Sequence, residues 1–301
     1  MITTRSGVLL IDKPVGPSSA QVVHRVKTIL GAKKVGHLGT LDPFASGLLL
    51  IGVNEGTKIA DIFLSGAKSY IGVMVLGVET DSQDCTGKVI ETRPVPPVGG
   101  AELTMLEHKF TGDLRQIPPM FSALKKDGVR LYQLARQGKE IPREARPIRI
   151  VALTLRQLSE TEIEFEVTCS RGTYVRTLAA DMGTELGCGA HLKSLRRMAC
   201  DHLSIDQALT PDQLAERCAT GETPLVSLRS ALSHLPAVAW RSQLISRLRL
   251  GQQDVLAQLG RPREGEKLLG ILDPRGALAA LAEWTDDVAV GRWRLLRIFK
   301  E

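Results

Sequence analysis

The sequence predicts an α+β protein, with a large mixed sheet flanked by helices and then a small, mostly β unit near the C-terminus. Three observations carry this. Strand and helix patterns follow one another without the regular βαβ succession of doubly wound folds. Thr161 to Cys169 alternates cleanly, with Ile163, Phe165, Val167 and Cys169 on one face and Glu162, Glu164 and Glu166 on the other, as a half-exposed strand does. Beyond about residue 238 the chain is cut into short segments by Gly251, Gly260, Pro262, Gly265, Gly270, Pro274, Gly276 and Gly291. The 301 residues, 43% of them hydrophobic, suffice for one large domain and one small one, read here as 1–235 and 236–301.

Each element has a local reason. Val8-Leu9-Leu10-Ile11 is a buried-strand candidate stopped by Asp12-Lys13-Pro14-Val15-Gly16-Pro17. Ser18 or Ser19 then caps a helix whose Val22, Val23, Val26, Ile29 and Leu30 follow helical spacing, and Gly31 ends it. Lys68 to Val78 reads as a strand running into a polar loop, Glu79 to Asp84. Arg171-Gly172-Thr173 turns into a helix with an apolar stripe of Val175, Leu178, Ala179, Met182 and Leu186. That stripe leaves Arg176 near the first turn, free to face a site at the strand end.

Composition narrows the function classes. No uninterrupted apolar stretch approaches the length of a membrane span, and Met1 to Gly7 lacks the basic-then-apolar layout of a secretory signal, so the expected compartment is the cytoplasm. Five cysteines without a Cys-x-x-Cys pair argue for reduced thiols. Cys188, His191, Cys200 and His202 have no standard zinc spacing, and no structural metal is expected. The net charge of +6 is matched by Arg115 to Arg149 alone, where nine basic residues face Asp127, Glu140 and Glu144. Phe121 and Tyr132 place flat rings among those cations, as nucleic-acid surfaces often do, although a charge run can also be a merely solvated face.

The most informative stretch is Gly36-His37-Leu38-Gly39-Thr40-Leu41-Asp42-Pro43-Phe44-Ala45-Ser46-Gly47-Leu48-Leu49. Its glycines let the backbone bend and approach a ligand, while Pro43 fixes its own φ and pushes Asp42 toward an extended conformation. Asp-Pro is also an ordinary helix start, and Leu-Asp-Pro recurs at Leu272-Asp273-Pro274, so the tripeptide alone decides nothing. Gly31 to Leu38 has P-loop glycine spacing but lacks the Lys-Ser/Thr pair. Gly-x-Ser-x-Gly, His-Glu-x-x-His and Gly-x-Gly-x-x-Gly do not occur, which leaves hydrolase triads, zinc proteases and dinucleotide binding without support. A single-carboxylate enzyme or a binder remains.

Gly36 to Leu49 resembles the catalytic motif of the tRNA pseudouridine-55 synthases, the TruB family, and further similar motifs follow in order. They are Asp12-Lys13-Pro14-x-Gly16-x-Ser18-Ser19, Lys68-Ser69-Tyr70, the basic insertion at Gln116 to Lys125, Tyr132 to Gly138, Pro142 to Pro147, Ser170 to Arg176 and Gly187 to Leu192. Phe44, Ser46 and Phe121 are small departures. The last sixty or so residues resemble the family's PUA-like RNA-binding domain more faintly.

The resemblance implies a mainly antiparallel pseudouridine synthase fold carrying a basic insertion over about 112–149. It implies isomerisation of a T-loop uridine of tRNA, with Asp42 as the essential carboxylate, either attacking the nucleotide covalently or assisting glycal formation. A stacked uridine must be flipped into a pocket. There Tyr70 is the candidate platform, with Tyr174 and Leu195 lining the same space. Arg176 is expected to pair with Asp42 and, as a neighbouring guanidinium, to lower its pKa. His37, placed in a loop, touches the flipped nucleotide or fills the gap it leaves, and Lys13 shapes the floor. No cofactor, membrane or obligate protein partner is expected, and the chain reads as a monomer acting on the tRNA T arm. The competing reading is a tRNA-binding chaperone without catalysis.

Overall fold

The structure, a computed structural model, describes residues 3–122, 124–126, 128–286 and 291–300. Met1, Ile2, Ala123 and Asp127, which figure in the sequence readings above, lie outside the described residues.

The chain opens with β1 (Gly7–Lys13), α1 (Ser19–Leu30), β2 (Val35–His37) and β3 (Ser46–Val53). In β1, Leu9 and Ile11 face one core while Val8 and Leu10 face another, and β3 divides in the same way between Leu49, Ile51 and Val53 and Leu48 and Leu50. Both faces are covered, so these strands read as continuous apolar runs. Helix α1 starts at Ser18, whose hydroxyl accepts from the Gln21 N–H while the Gln21 side chain accepts from the Ser18 N–H, and it ends at Gly31 with φ 58°. Losing such a cap costs about 1 kcal/mol.

After α2 (Ala60–Ser65) comes β4 (Lys68–Leu76), shorter than the strand expected to reach Val78. Gly77, at φ +81°, breaks it. The chain resumes as β5 (Val78–Thr80), which pairs with β6 (Val89–Thr92) in a separate two-stranded sheet. Glu79 and Thr80 are therefore strand residues, not the start of a polar loop.

Next come α3 (Gly100–Lys109), β7 (Gly112–Gln116), β8 (Lys125–Lys126), β9 (Val129–Arg130), α4 (Leu131–Arg136), β10 (Arg146–Gln157) and β11 (Glu162–Cys169). They lead into α5 (Val175–Glu185), β12 (Ala190–Cys200), β13 (Leu203–Ser204), α6 (Pro211–Ala219) and α7 (Leu228–Ala231). The main sheet runs β1-β3-β12-β4-β11-β10-β7, with β2 on β3 and β13 on β12. Among these pairings β12 with β3 is parallel and the rest are antiparallel. One face carries the main core, into which α1, α5 and α6 send Val22, Val26, Leu178, Met182 and Leu214.

The chain ends with β14 (Ala237–Ala239), α8 (Ser242–Arg249), β15 (Leu268–Leu272), β16 (Leu278–Thr285) and β17 (Arg292–Ile298). These four strands form a second sheet, β14-β15-β16-β17, with its own core around Trp240, Ile245, Ile271 and Trp293. Leu278, Leu281 and Phe299 join Leu10, Leu48 and Phe63 in a third core that ties this sheet to the back of β1 and β3.

Candidate active site

Asp42 sits in the loop between β2 and β3, and the residues on either side of it are tied down. The Leu41 N–H donates to Ser19 Oγ at 2.9 Å, and the same hydroxyl donates to the Leu41 carbonyl at 2.8 Å. The Pro43 carbonyl accepts from the Gly16 N–H at 2.8 Å and from Lys13 Nζ at 3.3 Å. The Ala45 N–H closes a turn onto the Asp42 carbonyl at 3.2 Å. Lys13 is fully buried and spends its other donors on the carbonyls of Pro14 and Pro17, at 2.8 and 2.9 Å. Burial brings the Lys13 ammonium down to about 8, with Asp42 pulling the other way.

Arg176, in the first turn of α5, meets Asp42 with Nε 3.1 Å from Oδ2. The rest of its guanidinium is fixed from behind. Nη1 donates to the Asp84 carboxylate at 3.1 Å and to the Ser82 carbonyl at 3.0 Å, and Nη2 donates to the Phe121 carbonyl at 2.9 Å. Asp84 is buried and also accepts from the hydroxyls of Ser82 and Thr86. Sequence reasoning missed Asp84 because it falls in a run of polar residues; only the fold turns it inward beneath α5.

Asp42 keeps 42% of its side-chain surface open, against 8% for Arg176 and 4% for Asp84. Arg176 lowers the Asp42 pKa as expected from the sequence, but it is not the largest influence. Burial among protein groups outweighs the opposing pull of Arg176, Asp84 adds a further push upward, and Lys13 a further pull down. The net effect is upward.

A cavity of about 230 Å³ opens over Asp42, with walls that include Tyr70, Phe121, Tyr174, Arg176 and Leu195. It is smaller than the roughly 300–1,000 Å³ of sites for drug-sized ligands, as suits a single base. A larger cavity, about 500 Å³, shares Phe121 with it but is not lined by Asp42, Tyr70 or Tyr174. Tyr174 is fixed by Gln116, which accepts from the Tyr174 N–H at 2.8 Å and donates to its carbonyl at 3.1 Å. Tyr70 projects from β4; burial pushes its hydroxyl up to about 12 despite Arg197 beside it.

His37 and Lys13 do not line this cavity. Lys13 lies behind the Asp42 loop. His37 is the last residue of β2 rather than part of a loop, because Val35 to His37 pair with Ile51 to Val53. Burial and Arg197 lower the His37 pKa, which favours the neutral ring, and its Nδ1 is buried with no hydrogen-bond partner.

The basic insertion contributes β7, β8, β9, α4 and the start of β10. Arg130, Arg136, Arg146 and Arg149 are surface residues there, with the Arg136 guanidinium 5.5 Å from the centre of the Tyr132 ring.

The fold is shared with two solved structures. One is an H/ACA ribonucleoprotein bound to a substrate RNA containing 2′-deoxyuridine (TM-score 0.72, 22% identity, covering 98% of this chain and 85% of the other). A second is a Cbf5-Nop10-Gar1 complex (TM-score 0.71, 23% identity, 98% and 85% covered). Residues 27–175 match the N-terminal domain of the TruB family of pseudouridylate synthases, and residues 176–235 match the C-terminal domain of tRNA pseudouridylate synthase B. The chain is 42% identical to the tRNA pseudouridine synthase B of Geobacter sulfurreducens, over 97% of this chain and 99% of that one. It is 39% identical to that of Syntrophotalea carbinolica, over 98% of each. The chain belongs to the TruB family.

Proposed function

We propose that this protein is a tRNA pseudouridine synthase that isomerises the T-loop uridine, position 55, using Asp42. The observation that carries the reading is a partly open carboxylate at the floor of a base-sized cavity, held by an arginine whose other donors are already engaged. The family relatives named tRNA pseudouridine synthase B supply the substrate class.

In this reaction the N1–C1′ bond of uridine breaks, the base turns over, and C5 bonds to C1′. The isomerisation has no redox change and draws on no cofactor. The target base leaves the T-loop stack, and Tyr70, Tyr174 and Leu195 replace its lost stacking and apolar contacts. Asp42 acts on the sugar or on the base as a nucleophile, or assists glycal formation. Arg176 opposes the upward push of burial on this carboxyl and aims it. His37 presents a neutral ring to the displaced nucleotide or to the gap behind it, and Lys13 holds the floor.

The arginines of the 112–149 insertion provide the phosphate-facing surface, and residues 236–301 form a PUA-like domain that extends the RNA contact. The enzyme works in the cytoplasm as a monomer on the T arm, without an obligate protein partner. Incubation with unmodified tRNA transcript, followed by chemical mapping of pseudouridine, tests the reading. Conversion confined to uridine 55 is expected. Tight binding without conversion contradicts the reading and leaves a tRNA-binding chaperone.

A further inference from the structure

Tyr174 lines the candidate cavity, yet the backbone that carries it belongs to no sheet. It follows the turn at Arg171 and Gly172, with Gly172 at φ +81°, and stands just ahead of α5 with φ −95° and ψ 105°. Its side chain makes no capping bond to that helix, and its carbonyl accepts the helix's first bond, from the Leu178 N–H at 3.0 Å. Secondary structure alone therefore leaves the N-terminal side of Tyr174 unheld.

Gln116 supplies what is missing. Strand β7 turns Leu114 and Gln116 inward and leaves Asp113 and Arg115 exposed, and Leu114 packs against the main core opposite Ile148. At the next inward position this alternation predicts an apolar residue, and an amide only 3% exposed stands there instead. Burying an amide is costly unless it is hydrogen-bonded. Both bonds of the Gln116 side chain go to Tyr174, one to each of the peptide groups that flank its Cα: Oε1 accepts from the N–H at 2.8 Å, and Nε2 donates to the carbonyl at 3.1 Å. The side chain stands in for a partner strand. With both peptide groups fixed, the Cα–Cβ bond of Tyr174 has a set direction, and the ring moves only about its side-chain torsions. The same stretch of chain reaches the site once more, where the Phe121 carbonyl accepts from Arg176 Nη2 at 2.9 Å.

We propose that Gln116 is a positioning residue, which sets the place of Tyr174 against the flipped base and acts on the chemical step through that ring. The proposal rests on the pseudouridine synthase reading. It gives β7, at the edge of the main sheet, a part in the reaction besides leading into the basic insertion.

The test is a double-mutant cycle with Gln116→Met and Tyr174→Ala, read as single-turnover rate, tRNA Kd and melting temperature. Methionine keeps the length and approximate volume of glutamine and removes both hydrogen bonds. Gln116→Met is expected to slow single-turnover conversion about 30-fold, since a misplacement of about 1 Å costs on the order of 100-fold, with Kd within about threefold of wild type. In the Tyr174→Ala background the same substitution is expected to cost less than about threefold, because no ring remains to be placed. Gln116→Glu, which keeps an acceptor for the N–H and removes the donor to the carbonyl, takes the place of methionine in the cycle, with the same readings, if the first variant does not fold. An equal loss in both backgrounds overturns the proposal and leaves Gln116 a support of the fold or of Arg176. A loss of binding that parallels the loss of rate overturns it too, as does an unchanged rate. A wild-type protein that binds tRNA but converts no uridine overturns the functional reading itself, and this proposal with it.

Discussion

Asp84 meets Arg176 inside the protein, Oδ2 to Nη1 at 3.1 Å, while the same guanidinium turns its Nε to Asp42. One arginine is therefore held between two carboxylates, one buried and one facing the cavity. The buried one fixes the arginine, and the arginine fixes the one that faces the cavity.

Asp84→Asn removes the charge that anchors Arg176. Breaking a buried ion pair from one side generally costs about 3–5 kcal/mol. Urea unfolding is expected to show a loss at the lower end of that range, since the amide keeps some hydrogen bonds. Single-turnover conversion is expected to fall at least tenfold, about 1.4 kcal/mol in the barrier, with little change in tRNA affinity. An unchanged rate would mean that Arg176 holds Asp42 without Asp84.

The pH profile follows from two shifted groups. Asp42 lies above its ordinary carboxylate value, so the rate rises with pH through an ionisation above that value. Lys13 has been lowered to about 8, and above that pH it loses a charge that supports ionised Asp42. The expected curve rises, levels and falls, and Lys13→Met is expected to be slower and to lack the fall. A descending limb that survives in Lys13→Met assigns it to another group. Stability has its own sign: the folded pKa of Lys13 lies below the unfolded value of 10.5, so its penalty is complete below about pH 8. That penalty is relieved as pH rises toward 10.5.

Gly47→Ala tests the convergence of β3 on β12. The residue adopts φ +100°, and a Cβ there meets the Arg197 backbone at 2.3 Å. Left-handed strain of roughly 1–2 kcal/mol and overpacking of about 1–3 kcal/mol both act against the folded state. Chemical denaturation is expected to show a loss above about 2 kcal/mol; a loss under about 0.5 kcal/mol would mean that the strands separate freely.

RNA affinity is predicted to depend on exposed cations of the insertion. Arg130→Ala and Arg146→Ala are each expected to reduce the slope of log Kd against log salt by about one, leaving the saturated rate near wild type. A slope unchanged in both variants places the RNA elsewhere on the surface.

Much of this architecture is legible in the chain because its signals are local. The capping serine and Gly31 bound α1, the alternation of Ile163 to Cys169 gives β11, and Gly36 to Leu49 marks the Asp42 loop. What escaped is set by tertiary contact. Gly77 ends β4 where the apolar pattern runs on, and His37 becomes a strand residue because β3 offers it a partner. Asp84 and Arg197 look like surface residues in sequence, since nothing local records that a charged side chain is buried. The net direction of the Asp42 shift is not legible in sequence for a related reason: Arg176 is visible as a neighbour and does lower the pKa, whereas the burial that outweighs it belongs to the whole fold.

The decisive measurement compares wild type with Asp42→Asn on unmodified tRNA transcript, reading pseudouridine at position 55 alongside a binding titration. Asparagine keeps the size of the side chain and removes its charge and nucleophilicity. Conversion by wild type alone, with tRNA binding retained by the variant, is the predicted result. Conversion by Asp42→Asn at a comparable rate would contradict the assignment of the chemistry to this carboxylate.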